Sequence, residues 1–472
     1  MKKLVNYKLF YMLSLSPFCI GKIKAETNRP NVIIIFTDDQ GVNDLGCYGS
    51  PNIKTPHIDK MSRQGMRFTN FYVSASVSSA SRAGLLTGQL NTRNGAPGVF
   101  FPNNPGIPSA KITLGEMLQS EGYKTACFGK WHLGDQKGHM PNDQGFDEYY
   151  GIPYSNDMYI TPTLKISPKV KFREGWTMER ALEDQRIVAE CIGNNRNPIR
   201  ERKLMDVCPL VEDSLIVEYP CNQSLLTKRY FEHAIDFIKR SKNNPFFCYI
   251  TPDMPHIPLA ASSDFLGSSE RGLYGDVIQE IDANVGKLMT YLKKNHLDKN
   301  TLVLFASDNG PWLAKGKNGG SAHPFRDGKF SSYEGGVRLP FIAYWPGVIP
   351  AHSVNNNIFA SIDIVPTIMN LIGYDEPMNL DGIDETATLL NPTIAIRHNY
   401  LYVNRGEVVG VRIGDWVYLP FSGKVRKKAK PELFNIKEDL AQEHNLYDAK
   451  PDIVLIMKQI YERYKKMYPN LN

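Results

Sequence analysis

Runs of apolar, often β-branched residues recur up to about residue 345 and predict buried strands. The runs cover residues 31–37, 124–128, 246–250, 301–306 and 341–345. Continuous apolar character is typical of strands covered on both faces, as in a parallel sheet. The pattern therefore predicts a central sheet whose strands are enclosed by other elements.

Helical signals lie between these runs. Predicted helices cover residues 56–64, 114–122, 227–240 and 278–292, with Thr55, Pro56, Gly65, Thr113, Glu116, Gly122 and Thr227 as boundary residues. Threonine is a common N-cap, proline fits the first helical position, and Thr113 with Glu116 forms a capping box. Strands that alternate with helices predict an α/β domain with a mostly parallel central sheet flanked by helices.

Two segments depart from this alternation. Residues 163–225 are irregular and polar, which predicts an insertion or a long loop. After about residue 391, strand-like runs around residues 401, 408–411 and 416–419 follow one another without helices, and an amphipathic helix near residues 453–464 ends the chain. We therefore expect a large domain over residues 27–390 and a smaller C-terminal subdomain over residues 391–472, with an antiparallel sheet and a terminal helix.

The N-terminus has the features of a secretion signal over residues 1–25. Lysines precede the apolar residues 9–20, and Ala25 ends a plausible cleavage site. The apolar run is too short to span a bilayer, and no later run of ~20 apolar residues follows. We expect a periplasmic or secreted protein without a membrane span. A lipoprotein would need Cys19 in a lipobox, where Phe18 is a poor fit.

Composition is that of a soluble globular protein, with 42% hydrophobic and 22% charged residues in 472. Much of the net charge of +6 comes from one basic cluster: Lys424, Arg426, Lys427, Lys428 and Lys430. Such a cluster is either a solvated loop or a site that attracts an anionic polymer. No motif supports a nucleic-acid partner.

Six cysteines remain once the predicted signal is removed: Cys47, Cys127, Cys191, Cys208, Cys221 and Cys248. An oxidising compartment permits disulfides, and Cys208 with Cys221 is the closest pair. Pairing does not follow from spacing, so all six thiols can also stay free.

Two predicted strands end in adjacent oxygen ligands, Asp38-Asp39 and Asp308-Asn309. In open parallel sheets, ligands bind beyond the carboxyl ends of the strands. Carboxylates that converge there repel one another unless a cation joins them, and oxygen ligands suit Ca²⁺ or Mg²⁺. The alternative is that each pair caps the turn that follows it.

A Ser-rich segment, residues 78–88, places a hydroxyl at Ser78 and a cation at Arg82. If Ser78 lies just before a helix, Arg82 follows about one turn later, since a turn takes ~3.6 residues. Backbone N–H groups at the start of the helix would then form an anion site beside Ser78. The alternative is a serine loop that caps an ordinary helix.

This segment also resembles the signature of the type I sulfatases, Cys/Ser-x-Pro/Ala-x-Arg followed by Ala-x-Leu-Leu-Thr-Gly. Ser78, Ala80, Arg82 and residues 85–88 match it. The resemblance implies an alkaline-phosphatase-like fold and a maturase that converts residue 78 to formylglycine (3-oxoalanine), whose hydrate is the nucleophile. It also implies that residue 78 binds a metal ion together with Asp38, Asp39, Asp308 and Asn309. The expected ion is calcium, in preference to magnesium. Serine at this position resembles the bacterial variants.

Further motifs extend the resemblance from about residue 30 to the C-terminus. They are Gly129-Lys130-Trp131-His132-Leu133-Gly134, Pro255-His256-x-Pro258, Gly328-Lys329 before Glu334-Gly335-Gly336-Val337-Arg338, and residues 151–157, which resemble the arylsulfatase A branch. On its own, a lysine two positions from a histidine is more often at a surface.

The resemblance implies roles for these residues. Lys130, Lys329, His256 and Ser155 would contact the sulfate, while His132 would contact the formylglycine hydroxyl. Glu334 and Arg338 would be structural. Asp253 departs from the family pattern and is left unassigned.

The function implied is hydrolysis of a sulfate monoester, on a sulfated glycan or an aryl sulfate, to an alcohol and inorganic sulfate. Arg82 would orient the hydrate, His256 or Lys329 would protonate the leaving alcohol, and His132 would deprotonate the second hydroxyl. One alternative is a phosphoester or phosphonate hydrolase of the same superfamily, which usually adds His/Asp ligands for a second metal. The other is a non-catalytic binder of sulfated glycans, expected if Ser78 is never oxidised.

Overall fold

The structure is a computed structural model that describes residues 29–194, 196–202, 204, 206–424 and 429–470. The predicted signal over residues 1–25, with Cys19, lies outside the described residues, as do Arg426, Lys427 and Lys428 of the basic cluster. Within the described ranges, every helix is too short or too polar to cross a membrane.

The described residues form sixteen strands and eleven α-helices. The strands are β1 (Asn31–Thr37), β2 (Met66–Tyr72), β3 (Lys124–Gly129), β4 (Glu148–Gly151), β5 (Lys165–Phe172), β6 (Leu210–Glu212), β7 (Leu215–Tyr219), β8 (Phe246–Thr251), β9 (Thr301–Ser307), β10 (Arg338–Tyr344), β11 (Ser353–Asn355), β12 (Phe359–Ala360), β13 (Asn399–Asn404), β14 (Glu407–Ile413), β15 (Trp416–Leu419) and β16 (Glu432–Asn435). The helices are α1 (Pro56–Gln64), α2 (Ser78–Thr87), α3 (Leu114–Ser120), α4 (Met178–Gly193), α5 (Pro198–Arg202), α6 (Leu226–Ser241), α7 (Leu273–Lys294), α8 (Glu334–Val337), α9 (Ile364–Ile372), α10 (Thr386–Leu390) and α11 (Pro451–Met467).

The central sheet has the strand order β11-β2-β10-β9-β1-β8-β3-β4-β6-β7-β5, with β12 beside β2. Its middle strands, from β9 to β4, are parallel, while β10 runs antiparallel to both β9 and β2. The fold is therefore α/β with a mostly parallel centre, as predicted. In the β1–β9 register Thr37 lies opposite Ser307, so the polar residues that follow both strands start side by side.

Both faces of β1 are buried, as its apolar run predicts. Val32, Ile34 and Phe36 pack on one side, in the core that includes residues of α2, α3 and α9. Ile33 and Ile35 point to the opposite side, into the core formed with α1, α6 and α7. The alternation follows from the two-residue period of a strand, and it encloses the sheet between two helical layers.

The prediction of an irregular segment over residues 163–225 is wrong. Strands β5, β6 and β7 extend the sheet there, and α4 and α5 lie between β5 and β6. Strand β5 is the outermost strand. Its exposed lysines and a proline interrupt the apolar pattern by which a buried strand is predicted. Lysine and proline are common on edge strands because they discourage pairing with another chain.

Two helix boundaries also differ from prediction. Helix α6 begins at Leu226, so Thr227 is its second residue and caps nothing. Helix α2 begins at Ser78 itself, after Val77 as N-cap. Such shifts of one or two residues are common, because the first turn of a helix depends on the preceding chain. For Ser78 the shift means that its hydroxyl is free for contacts outside the helix.

Among the described cysteines, Cys208 and Cys221 lie together. Their sulfur atoms are 3.2 Å apart and both side chains are buried. All six described cysteines, from Cys47 to Cys248, are free thiols. The sequence left the pairing of these thiols open, and the structure makes Cys208 and Cys221 neighbours in space as well as in sequence.

The C-terminal part forms a four-stranded antiparallel sheet, β13-β14-β15-β16, covered by α11, as predicted. A buried glutamate joins it to the central sheet. Glu334 accepts hydrogen bonds from Tyr72 of β2 and Tyr402 of β13, each at 2.5 Å, and pairs with Arg338 of β10 at 3.2 Å. Arg412 of β14 donates to the Tyr72 hydroxyl, which extends the network. The prediction that Glu334 and Arg338 are structural agrees with these contacts.

Glu334→Gln should destabilise the protein by about 3–5 kcal/mol, because it leaves buried arginine and tyrosine groups without their anion. Urea unfolding followed by fluorescence measures the loss. Glu232→Gln is the matched control: Glu232 faces Lys228 at 3.9 Å on the surface of α6, and its loss should leave the midpoint unchanged. Equal midpoints for all three proteins would contradict the structural role of Glu334.

Candidate active site

The residues that follow β1 and β9 converge at one edge of the sheet. Oxygen atoms of Asp38, Asp39 and Asp308 lie within 4.8 Å of one another, and all three residues are buried. The Asn309 amide donates to Asp39 Oδ1 at 2.6 Å, and the backbone N–H of Asp39 donates to Asp308 Oδ1 at 3.2 Å. The structure thus brings the predicted ligands into one cluster.

Ser78 lies at the centre of this cluster, at the N-terminus of α2. Its Oγ atom is 2.9 Å from Asp38 Oδ1, 2.6 Å from Asp308 Oδ2 and 3.4 Å from Asn309 Oδ1. Since Ser78 is the first helical residue, the unpaired N–H groups of the first turn lie close to it. The proposed nucleophile and the proposed metal ligands therefore share one buried point.

Three buried cations balance the three carboxylates. Lys130 pairs with Asp38 and donates to Ser78 Oγ at 3.1 Å. Lys329 Nζ is 2.7 Å from Asp39 Oδ1, and Arg82 lies 2.8 Å from Asp308 Oδ2.

Arg82 contacts Asp308, and its predicted role toward a hydrate at residue 78 stays a prediction. Its guanidinium binds Asp308 and the Lys130 carbonyl oxygen, and it reaches residue 78 through Asp308.

Charge and burial act against each other in this cluster. Burial would raise the pKa of Asp38, but Lys130 and the other cations hold it well below its ordinary value. Burial raises the pKa of Asp39 to about 7, with Lys329 opposing the rise and the other two carboxylates adding to it. Burial lowers the pKa of Lys329, but Asp39 and Asp38 outweigh it and raise the pKa above its usual value. Lys329 is therefore a cation at neutral pH.

His132 is held as a neutral base. Its Nε2 atom lies 3.0 Å from the Phe100 carbonyl oxygen, so Nε2 carries the proton. Burial, followed by the charge of Lys130, holds the pKa of His132 well below its ordinary value. In the described part of the chain its buried Nδ1 has no hydrogen-bond partner. That nitrogen is free to accept a proton, and the positive φ of 61° at His132 indicates a backbone held in an uncommon conformation.

His256 lies next to Ser155, at one side of the carboxylate cluster. Its Nδ1 atom is 2.6 Å from the Ile257 carbonyl oxygen, and its Nε2 atom faces Asp39 Oδ2 at 3.8 Å. Ser155 Oγ is 3.2 Å from His256 Nδ1 and accepts from Lys130 Nζ at 3.4 Å. Burial, followed by the charge of Lys329, holds the pKa of His256 well below its usual value. His256 is therefore neutral, with an unprotonated Nε2 toward the cluster.

Sequence reasoning missed the residues that orient His256. The Asn156 amide oxygen is 3.1 Å from His256 Nδ1, and its amide nitrogen donates to Gln223 Oε1 at 3.1 Å and to the Pro258 carbonyl oxygen at 3.0 Å. Asn156 follows Ser155 within residues 151–157, the motif that resembles the arylsulfatase A branch. Its position next to Ser155 was the only sequence signal that could have identified it. Gln223 comes from a distant segment, and nothing local marks it.

Asp253 is fully buried but outside the cluster. Within the described ranges neither carboxylate oxygen has a hydrogen-bond partner, and burial raises the pKa of Asp253 to about 7. Its backbone carbonyl accepts from the His256 N–H at 3.1 Å, which supports the turn that carries His256.

The donor set suits a hard divalent cation. The Asp38, Asp39 and Asp308 carboxylates, the Asn309 amide and the oxygen at residue 78 are all oxygen ligands. Ca²⁺ and Mg²⁺ prefer such ligands, and the mutual repulsion of the clustered carboxylates favours a bound cation. The residues present therefore fit the metal site that was predicted.

Comparison with known proteins places this geometry in a family. The sulfatase family model matches residues 30–374, and a model for the C-terminal part of N-sulphoglucosamine sulphohydrolase matches residues 321–469. Rat (Rattus norvegicus) arylsulfatase G is 34% identical over 483 residues, covering 94% of this chain and 88% of that protein. Human (Homo sapiens) arylsulfatase A is 34% identical over 470 residues, covering 92% and 88%.

Among solved structures, that of Ps i-CgsB in complex with k-i-k-neocarrahexaose is 29% identical, with a TM-score of 0.75 and 93% of each chain covered. The family model spans most of the chain, and the matched segment contains the whole carboxylate cluster, Ser78, Lys130 and Lys329. The chain belongs to the sulfatase family: it is a type I sulfatase of the alkaline-phosphatase-like superfamily and a sulfuric ester hydrolase.

Proposed function

We propose that this chain removes sulfate from a sulfated glycan, using formylglycine formed from Ser78 and a calcium ion held by the carboxylate cluster. The observation that carries the proposal is the position of Ser78 Oγ, 2.6–3.4 Å from atoms of Asp38, Asp308 and Asn309 and 3.1 Å from Lys130 Nζ. Calcium bound there would supply positive charge to the sulfate oxygens, and the hydrate at residue 78 would supply the attacking hydroxyl.

Binding of the sulfate is assigned to the two buried lysines. Lys130 and Lys329 lie on opposite carboxylates of the cluster, Asp38 and Asp39, so an anion between them would meet both ammonium groups. Such preorganised charge in a site that excludes water stabilises negative charge that develops in the transition state. Ser155, beside Lys130 and His256, would donate a further hydrogen bond.

Two proton transfers are assigned to the surrounding bases and acids. The proton at residue 78 is assigned to His132 Nδ1, which is buried and has no partner in the described residues. The leaving alcohol needs a proton, and Lys329 carries one at neutral pH because its pKa is raised. His256 can donate only if the bound sulfate first raises its pKa, since Nε2 is unprotonated in the geometry described.

Maturation and export complete the proposal. A formylglycine-generating maturase would oxidise Ser78 to an aldehyde by removing the hydroxyl hydrogen and one Cβ hydrogen, with the two electrons passing to the maturase's own electron acceptor. The predicted signal over residues 1–25 supports a periplasmic or secreted enzyme. A glycan substrate is supported by the similarity to Ps i-CgsB, whose structure holds k-i-k-neocarrahexaose.

Asp308→Asn should weaken calcium binding by at least about tenfold, because it removes one of three carboxylates from the site. Titration calorimetry with Ca²⁺ and with Mg²⁺ measures the affinity and identifies the preferred ion. Asp253→Asn, a buried carboxylate outside the cluster, is the control and should keep the affinity. Unaltered calcium affinity in the Asp308 variant would exclude this metal site.

Ser78→Ala should abolish turnover without unfolding the protein. The Ser78 hydroxyl caps no helix, so its removal costs little stability beyond contacts within the site. Ser81→Ala is the matched control, since Ser81 lies in the same helix with a buried hydroxyl that has no partner in the described residues. Sulfate release and mass spectrometry of the peptide containing residue 78 are the measurements. Normal sulfate release by the Ser78 variant would rule out the mechanism.

His256→Ala should slow a sugar sulfate far more than an activated nitrophenyl sulfate if His256 protonates the leaving alcohol. General acid catalysis contributes ~10²–10⁴-fold, and its contribution grows with the basicity of the leaving group. Comparison of kcat/KM for the two substrates is the measurement. Equal losses would mean that His256 binds sulfate, and the role of general acid would then fall to Lys329.

A further inference from the structure

A cleft of about 660 Å³ opens beside the cluster, between the central domain and the C-terminal sheet. Its walls include Val77, which precedes the nucleophile, and Phe330, which follows Lys329. The opposite walls come from residues 97–99 with Phe101 and from the β13–β14 hairpin with Arg405. Two lining residues of the cleft are therefore chain neighbours of the proposed reacting residues Ser78 and Lys329.

Aromatic rings are exposed along this cleft. Phe330 is 49% exposed and Phe101 is 44% exposed, although both are large apolar side chains. Phe330 also has a φ of 69°, a conformation that is costly for a bulky residue, and its N–H donates to the Ser76 carbonyl oxygen at 3.0 Å. A strained residue that holds an aromatic ring in solvent beside an active site indicates a binding role.

Trp312 extends the same aromatic surface to the reacting groups. Its half-buried ring meets Phe330 edge-on at 5.5 Å and lies 5.7 Å from the His256 ring. Lys329 Nζ is 4.7 Å from the centre of the Trp312 ring and 5.6 Å from that of Phe330. A sugar whose sulfate reaches Lys329 would therefore place its ring against this aromatic pair. The C–H faces of pyranose rings pack well on aromatic side chains, which favours a saccharide here.

Arg405 supplies a cation at the far wall of the cleft. It occupies the turn of the β13–β14 hairpin, with Arg405 at φ 50° and Gly406 at φ 74°. Within the ranges that the structure describes, its guanidinium makes no hydrogen bond or ion pair, whereas Lys424 on the same wall faces Asp327 at 3.4 Å. A free guanidinium in a cleft is suited to a bidentate contact with a sulfate or carboxylate.

We propose that Trp312 and Phe330 stack on the sugar that carries the scissile sulfate, and that the next sugar of an anionic glycan chain lies in the cleft with its own sulfate or carboxylate on Arg405. This inference rests on the proposed function and narrows its substrate to a chain with at least one further negative charge. The scissile ester and the second anion are then bound by separate residues.

The test measures binding to full-length protein that carries Ser78→Ala, so that no ligand is consumed. Sulfated hexasaccharides from carrageenan, chondroitin sulfate and heparin are compared with their sulfated monosaccharides by titration calorimetry. At least one hexasaccharide should bind about tenfold or more tightly than its monosaccharide, because it adds a charge-assisted contact. Turnover of nitrophenyl sulfate by the matured, unsubstituted protein is measured in parallel. Absence of turnover would contradict the proposed function, whereas the binding data test the glycan site independently.

Substitutions of Arg405 and Phe330 test the anion contact and the aromatic contact separately. Arg405→Asn should weaken hexasaccharide binding about tenfold, with little effect on the monosaccharide. Asparagine is favoured at this position of a hairpin turn, so the fold is kept. Phe330→Gly should weaken both ligands, because glycine keeps the positive φ but removes the ring, and Phe330→Tyr should retain binding.

Lys437→Asn removes an exposed cation that does not line the cleft and is the matched control. It should leave every affinity unchanged. Hexasaccharides that bind no more tightly than monosaccharides across the panel would overturn the proposal. So would a loss in Arg405→Asn that is no larger than the loss in Lys437→Asn.

Discussion

Three carboxylates buried at the ends of two adjacent parallel strands are the constraint on which the site depends. Asp38, Asp39 and Asp308 cannot remain together and charged unless cations compensate them, since burial penalises each charge. The chain supplies Lys130, Lys329 and Arg82 for this purpose, one for each carboxylate. In the proposed function Lys130 and Lys329 also bind the sulfate, so the same groups would compensate the buried charge and recognise the substrate.

The C-terminal sheet is part of this arrangement. The loop that carries Lys329 is bonded to it: the Ser332 N–H donates to the Gly423 carbonyl oxygen at 2.7 Å, and the Tyr333 hydroxyl donates to Glu432 at 2.8 Å. Glu334 then ties the end of that loop to both sheets. Because Lys329 reaches Asp39 from this loop, the position of its ammonium group depends on packing against the C-terminal part of the chain. The proposed cleft between the two parts would bind its substrate at the same junction.

The surroundings hold both histidines of the site in the same neutral state. Each has one ring nitrogen close to a backbone carbonyl oxygen, Phe100 for His132 and Ile257 for His256, which assigns the proton to that nitrogen. Burial and a neighbouring lysine keep both rings neutral. A neutral imidazole accepts a proton readily, whereas Lys329 is held charged by Asp39. The surroundings thus keep two imidazoles neutral and one ammonium group charged.

Local sequence determined much of this protein. The apolar runs located β1, β8 and β9, the polar pairs after β1 and β9 located the carboxylate cluster, and the motif at Ser78 located the serine within it, because each signal lies within a few residues. Tertiary structure decided what depends on distant segments. Strand β5 pairs with β7 at a polar edge, Gln223 orients Asn156 from another element, and Trp312 and Phe330 meet only because the loops before and after Lys329 fold together. Such contacts have no local pattern, since the partners are brought together by the packing of the whole chain.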